Sequence, residues 1–204
     1  MADLRWVFPD LDIRRIKITY RHSRQLNALS HKLAGLALEA EEAAVLPEHV
    51  NNEGIDPVVG LALSGATLVS WLRDRIAEIE SFTGGLPSIA VLVNREEEVQ
   101  PLAGALDAAL SKRNIRCVAC PGGQVRGNDH DVRVFDVQHI KGLEFEAVFF
   151  VGIDDLAKAR PSLFEKFLYV GATRAAMYLG LTTSAPQLPD RLLPLRDAFG
   201  SRWR

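Results

Sequence analysis

Two arginines of the chain stand beside aromatic or small residues in a way that suits the binding of phosphate. Arg21 follows Tyr20 in TYRHS, residues 19–23, and Arg174 lies in LYVGATRA, residues 168–175. The guanidinium group is planar and permanently charged, and its N–H donors match the geometry of a phosphate. Tyr20 adds a flat face on which a base can stack. Taken alone, TYRHS is explained more simply by a core tyrosine beside a solvated arginine, and Arg174 by a surface charge.

A glutamate between two apolar residues lies in a third segment, VQHIKGLEFEAVFFVGID at residues 137–154, in which a strand runs into KGLEFE and a second strand follows. Gly142 permits a turn, or a close backbone approach that a side chain would block. Glu144 is either a surface residue on a short loop or an acceptor for a defined donor, such as a ribose hydroxyl. By itself the segment indicates only a strand–loop–strand unit.

Strands and helices alternate along most of the chain, which predicts an α/β fold with a parallel sheet. Apolar and β-branched runs predict strands over 14–20, 57–63, 88–94, 115–120, 132–138, 146–153 and 178–184. Helical periodicity predicts helices over 23–43, with Ser23 as N-cap, and over 64–82, 95–114 and 162–177. The last helix would carry Arg174. Because ligands gather at the carboxyl ends of parallel strands, we expect the three segments at that edge.

The bulk composition excludes several classes of protein. The formal net charge is −2, so the chain as a whole lacks the strongly basic character of many nucleic-acid-binding domains, although a local groove is compatible with it. No apolar run reaches the length of about 18 residues that spans a membrane, and the N-terminus lacks the pattern of a signal peptide. A cytoplasmic location is the default expectation.

The two cysteines form a single pair, CVAC at Cys117 and Cys120. A structural zinc site needs about four ligands, usually from two such pairs, and a reactive thiol pair usually begins a helix. Here the pair ends an apolar run before PGG, which favours two thiols at a strand end. We therefore expect no metal site.

Together the three segments resemble motifs IV, V and VI in the C-terminal motor half of the UvrD/Rep family of superfamily 1 helicases. KGLEFEAVFF resembles motif V, usually H-x-x-K-G-L-E-F-x-x-V-F, and LYVGATRA resembles motif VI, usually Y-V-A-x-T-R-A. YRHS resembles motif IV, usually N-Y-R-S. The resemblance covers roughly residues 14–184, and it implies a RecA-like, P-loop-type three-layer domain with a mainly parallel central sheet. Residues 1–13 would be an N-terminal extension and residues 185–204 an irregular tail.

The resemblance also implies roles for the matching residues in an ATP site. Tyr20 would stack on the adenine, and Arg21 would reach the γ-phosphate. Glu144, with the turn at Gly142, would contact the ribose side of the nucleotide. Arg174 would be the arginine finger that stabilises charge developing on the transferring phosphoryl group.

The family's DNA-facing histidine is replaced in this chain. Counting back from Lys141, its position is occupied by Gln138, and His139 comes one place later. A glutamine can still hydrogen-bond a phosphate or a base. Both residues are therefore candidate contacts to single-stranded DNA.

The sequence contains no G-x-x-x-x-G-K-[ST] phosphate loop and no acidic pair typical of a magnesium-binding strand end. The stretch between CVAC and VRVFDVQ is also too short for the large 2B-type insertion of many family members. We expect the C-terminal piece of an ATP-dependent DNA helicase, such as those of DNA repair. An N-terminal RecA-like domain of the same polypeptide would hold ATP and Mg²⁺, and the isolated chain would bind neither and be inactive. The alternatives are a stand-alone, non-catalytic interaction or regulatory module and a thiol-redox or metal-binding domain built on CVAC.

Overall fold

The computed structural model describes residues 18–19, 23–37, 48–49 and 54–203. Within them, six parallel strands form one sheet in the order Val58–Gly60, Ala175–Thr182, Phe145–Phe150, Ile89–Val93, Val132–Asp136 and Cys117–Ala119, and two further strands, Ile18–Thr19 and Glu48–His49, pair separately. This confirms the predicted α/β fold with a parallel central sheet. No helix of the described part combines the length and the apolar character needed to cross a membrane.

The bounds of the elements follow the predicted alternation closely at the centre of the sheet. The strands are β1 Ile18–Thr19, β2 Glu48–His49, β3 Val58–Gly60, β4 Ile89–Val93, β5 Cys117–Ala119, β6 Val132–Asp136, β7 Phe145–Phe150 and β8 Ala175–Thr182. The helices are α1 Arg24–Ala37, α2 Gly65–Thr83, α3 Glu96–Leu110, α4 Ile153–Ala159 and α5 Phe164–Ala172. Short 3-10 segments cover Ser111–Arg113, Pro121–Gly123, Val137–His139 and Asp190–Ala198.

The sheet separates two hydrophobic cores, which gives the fold its three layers. Helices α1, α4 and α5 bury one apolar face against it, through residues such as Leu29, Ile153 and Leu168. Helices α2 and α3 cover the other face, through residues such as Ile76 and Leu106. Strand β4 lies between β6 and β7 and is buried at all five positions, as its continuous apolar sequence predicts.

The structure corrects the predicted helix over residues 162–177. Helix α5 ends at Ala172, and strand β8 already begins at Ala175, where it pairs with Phe145. Arg174 therefore lies in the short link between a helix and a strand and not on a helix. The predicted strand over 146–153 is also too long, because Gly152 adopts a left-handed conformation with φ of 64° and the unpredicted helix α4 begins directly after it.

The small residues around Arg174 pack inside the domain. A Cβ atom on Gly171 would lie 2.8 Å from Phe150 and 3.2 Å from Leu92, both on neighbouring strands. Ala172 and Ala175 are buried as well. These small residues therefore let α5 pack closely onto its own sheet.

The C-terminal residues are packed against the sheet, although their sequence indicates irregular structure. Gly200 forms an isolated parallel bridge with Val58, and its carbonyl accepts a hydrogen bond of 2.9 Å from the amide of Val59. Trp203 is only 3% exposed and stacks edge-on against Phe149 and Tyr178. This part of the chain therefore contributes to the core.

Asp154 of α4 hydrogen-bonds the residues that directly follow β8. Its buried carboxylate accepts hydrogen bonds from the Ser184 amide at 2.9 Å, the Ser184 hydroxyl at 2.7 Å and the Ala185 amide at 3.1 Å. Burial alone would raise the pKa of Asp154, but these hydrogen bonds lower it below its usual value. The ionised carboxylate is thus the form that stabilises the fold.

Replacing Asp154 by asparagine is expected to lower the free energy of unfolding by about 1–3 kcal/mol at neutral pH, because donors of Ser184 and Ala185 lose their acceptor. A carboxylate with a lowered pKa contributes stability above its unfolded pKa and loses it as the pH falls through its folded pKa. The difference between the proteins should therefore shrink on acidification to about pH 3. Urea unfolding measures it, and Asp155→Asn at the neighbouring exposed position is the control, expected to change stability by about 0.5 kcal/mol or less. An equal loss in both variants would contradict the role of Asp154.

Candidate functional site

Gly142, Glu144 and Arg174 meet at one edge of the sheet, but it is the amino edge. Glu144 directly precedes β7 and Arg174 directly precedes β8. Because these strands run parallel, both residues lie at the strands' amino ends. The Phe145 amide donates a hydrogen bond of 3.0 Å to the carbonyl of Arg174, which joins the two segments through the main chain. The expectation of the carboxyl edge is therefore wrong for Gly142, Glu144 and Arg174, whereas their convergence is observed.

The half-buried side chain of Arg174 is held by main-chain carbonyl groups. Its Nε donates to the carbonyl oxygen of Val170 at 3.3 Å, and a terminal nitrogen donates to that of Leu143 at 3.4 Å. The first contact comes from α5 and the second from the turn before β7. These two bonds restrict the guanidinium group at the junction of the two segments.

Tyr169 lies close enough to Arg174 for the arginine's charge to act on its phenol, although sequence reasoning gave the tyrosine no role. It is half-buried on α5, five residues before Arg174. Burial raises the pKa of the Tyr169 phenol, and the positive charge of Arg174 acts in the opposite direction. The net shift is upward, so the phenol stays neutral at physiological pH. In the sequence, only the position of Tyr169 inside the motif LYVGATRA pointed to a role for it.

The turn before β7 has the conformation that its glycine predicts. Gly142 has φ of 84°, in the left-handed region that side chains rarely adopt, and the Leu143 amide donates to the Ile140 carbonyl at 3.1 Å. A Cβ on Gly142 would meet nothing within 4 Å, so the constraint is on backbone conformation and not on space. Glu144 is exposed at the end of this turn.

Tyr20 and Arg21 lie outside the described residues, but Ser23, from the same segment, is placed. Its amide donates a hydrogen bond of 3.0 Å to the carbonyl of Ala176, two residues after Arg174. The Leu26 amide donates a hydrogen bond of 3.4 Å to the hydroxyl oxygen of Ser23. This contact confirms Ser23 as the N-cap of α1. Ser23 therefore lies beside the start of β8.

Gln138 and His139 lie at the opposite edge of the sheet. Both are exposed and follow the carboxyl end of β6 in a 3-10 turn. The side-chain amide of Gln138 donates to the buried carboxylate of Asp136 at 3.0 Å, and His139 Nδ1 lies 3.3 Å from a carboxylate oxygen of Glu96. The two candidate DNA contacts are thus separated from Arg174 by the length of the strands.

The CVAC thiols are poorly suited to chemistry. Cys117 is 7% exposed, and Cys120 is fully buried. Burial, with a smaller contribution from the Asp107 charge, raises the pKa of Cys117 to about 12, and burial also raises the pKa of Cys120. Since the thiolate is the reactive form, these findings argue against a redox pair.

Comparison with known proteins supports the resemblance found in the motifs. Residues 131–182 match the family model of the UvrD-like helicase C-terminal domain, and this range includes Gly142, Glu144 and Arg174. The fold is similar to that of the C-terminal domain of a possible DNA helicase from Lactobacillus plantarum WCFS1, with a TM-score of 0.63 and 19% sequence identity. That alignment covers 89% of this chain and 98% of the other, and at this identity it shows the fold alone. No curated protein matches the chain.

Proposed function

We propose that the chain, which resembles UvrD-like helicase C-terminal domains, is the second RecA-like domain of an ATP-dependent DNA helicase or translocase. The observation that carries this proposal is the junction of Arg174 with the turn at Gly142–Glu144, inside the range that matches the family. Arg174 would act there as an arginine finger on ATP bound by a partner domain.

The anchoring of Arg174 suits this role. Phosphoryl transfer depends on positioning and on charge stabilisation more than on covalent chemistry. A cation that is already oriented by the carbonyl groups of Val170 and Leu143 needs little reorganisation when negative charge develops on the transferring group. The guanidinium would bind the equatorial phosphoryl oxygens in the transition state.

The other residues would contact the rest of the nucleotide. The exposed Glu144 carboxylate can only accept hydrogen bonds when ionised, which fits the hydroxyl groups of a ribose. Tyr20 would stack on the base and Arg21 would reach the γ-phosphate. ATP and Mg²⁺ would be held mainly by the phosphate loop of an N-terminal RecA-like domain, because the sequence of this chain has none.

Single-stranded DNA would pass the carboxyl edge of the sheet, at Gln138 and His139. Both side chains are exposed there, and Gln138 is oriented by Asp136. Contacts at this edge would leave the amino edge open to the nucleotide. A non-catalytic module would need neither an anchored Arg174 nor the Gly142 turn, so neither feature favours that alternative.

The purified chain alone is expected to show no DNA-stimulated ATP hydrolysis. It offers one side of a nucleotide cleft, and its sequence contains no phosphate loop to hold the β- and γ-phosphates with magnesium. Phosphate release, measured with and without single-stranded DNA, tests this. Addition of a phosphate-loop domain from the same polypeptide should restore turnover. Sustained turnover by the chain alone would contradict the proposed division of the site between two domains.

A further inference from the structure

We propose that Glu96, Asp136 and His139 form a binding site for a divalent transition-metal ion such as Zn²⁺ or Mn²⁺. Glu96 is the first residue of α3, Asp136 is the last residue of β6, and His139 belongs to the 3-10 turn that follows. One potential ligand atom from each residue lies within 4.8 Å of the other two. The cluster lies at the carboxyl edge of the sheet, away from Arg174, and does not depend on the proposed function.

Two of the ligand atoms approach each other without a hydrogen bond between them. The Oε2 atom of Glu96 is shielded from solvent and accepts no hydrogen bond from any residue that the structure describes. His139 Nδ1 nevertheless lies 3.3 Å from it. When Nδ1 carries no proton, its lone pair and those of Oε2 repel each other at this distance, and a cation bound to both atoms would make the interaction favourable.

The remaining carboxylate atoms are oriented by main-chain donors, as metal ligands usually are. The Gly122 amide donates to Glu96 Oε1 at 2.8 Å, which leaves Oε2 for the ion. The Gln138 amide donates to Asp136 Oδ1 at 2.9 Å, and Asp136 is only 1% exposed. Burying a carboxylate is costly, and although the backbone and side-chain amides of Gln138 offset part of that cost, a bound cation would also neutralise the charge.

The ligand types select the class of metal. One imidazole and two carboxylates form a mixed nitrogen and oxygen set, which suits Zn²⁺ or Mn²⁺ better than Ca²⁺, which binds through oxygen. Metal–ligand bonds of about 2.1 Å require ligand atoms about 3–4 Å apart, so a small movement of the exposed His139 ring would close the site. The open side of the ion would carry water.

The expectation of no metal site came from the spacing of the cysteines, and no local sequence motif indicates this cluster. Glu96 and Asp136 are brought together only because β4, which precedes Glu96, pairs with β6. Three ligands from three elements would fasten the start of α3 to the turn after β6. Binding should therefore raise the thermal stability of the folded chain by mass action.

Calorimetric titration of the untagged full chain with Zn²⁺ tests the proposal, with Mn²⁺ as a second probe. We expect saturable binding of one ion per chain and a rise in melting temperature. His139→Ala and Glu96→Gln should each weaken binding about tenfold or more. Glu96→Gln keeps the Oε1 that accepts from Gly122, and His139 is exposed, so both variants should fold. His130→Ala is the matched control, because His130 is also an exposed histidine and lies in a different loop.

Three results would overturn the proposal. The first is the absence of saturable binding to the wild-type chain. The second is binding that survives unchanged in both His139→Ala and Glu96→Gln. The third is an intense thiolate-to-metal absorption band on substitution with Co²⁺, which would assign the ion to Cys117 and Cys120 instead.

Discussion

Replacing Arg174 by alanine, in the polypeptide that joins this chain to a phosphate-loop domain, is expected to lower the turnover of DNA-stimulated ATP hydrolysis by about 10³–10⁵-fold. Nucleotide affinity should fall far less, because an arginine finger meets charge that appears mainly in the transition state. Steady-state turnover and equilibrium nucleotide binding, measured on the same folded variant, separate the two effects.

Lysine at position 174 is not expected to restore the rate. A compact ammonium cannot reproduce the planar fork that contacts Val170 and Leu143 while it also reaches a phosphoryl group. Arg160→Ala is a matched control, because Arg160 is also half-buried, packs over the ring of Phe167 and lies outside the three segments. Turnover of Arg174→Ala within a few-fold of that of the control would show that Arg174 is not catalytic.

Replacing Trp203 by alanine is expected to lower the free energy of unfolding by about 3–5 kcal/mol. The side chain is 3% exposed and makes edge-on contacts with Phe149 and Tyr178, at centroid distances of 5.8 and 5.4 Å. Its indole N–H also donates to the carbonyl of Asp56 at 3.1 Å. The loss would be a large part of the roughly 5–15 kcal/mol by which a domain is stable. Urea unfolding of the full chain measures it.

Phe82→Ala provides the control for Trp203, since Phe82 is also aromatic but 50% exposed. Its replacement should change stability by about 0.5 kcal/mol or less. The stability loss of Trp203→Phe should lie between those of Trp203→Ala and Phe82→Ala, because phenylalanine keeps an aromatic ring but loses the hydrogen bond to Asp56. A Trp203→Ala protein as stable as Phe82→Ala would mean that the C-terminal residues do not belong to the core.

The elements with strong local signals were predictable from the sequence. Strand β4 is a continuous apolar run because both of its faces are covered, and its neighbours shield both of its edges. Helix α2 begins after Ser64, whose amide donates to the Thr67 hydroxyl at 3.0 Å, and it ends at Thr83, followed by Gly84 in the left-handed conformation. In these cases, local periodicity and capping agree with the tertiary fold.

The boundary around Arg174 could not be found by the same reasoning. LYVGATRAAM contains no proline, and its one glycine, Gly171, lies inside the helix and not after its last residue, so the sequence carries no stop signal directly after Ala172. What converts Ala175 and the residues after it into a strand is pairing with β7, a non-local interaction. Intrinsic helix propensity, at a few tenths of a kcal/mol per residue, is too weak to oppose it.

The sequence predicted which residues form the candidate site, but it did not predict at which edge of the sheet they lie. The motifs singled out Gly142, Glu144 and Arg174, and the structure brings the last two close together, because the amide of Phe145, next to Glu144, donates a hydrogen bond to the carbonyl of Arg174. The general rule for parallel sheets pointed to the carboxyl edge, because it assumes that site residues follow their strands. Glu144 and Arg174 precede theirs, which places the junction at the amino edge.

The most direct test of the central claim compares the binding of a ground-state and a transition-state nucleotide by the proposed two-domain protein. ADP alone occupies the site without transition-state charge, whereas ADP with aluminium fluoride mimics the transferring phosphoryl group. If Arg174 is the arginine finger, Arg174→Ala should weaken binding of the aluminium fluoride complex by about 10³-fold or more and change ADP affinity only a few-fold. Equal losses for both ligands, or no loss for either, would contradict the claim that Arg174 stabilises the transition state.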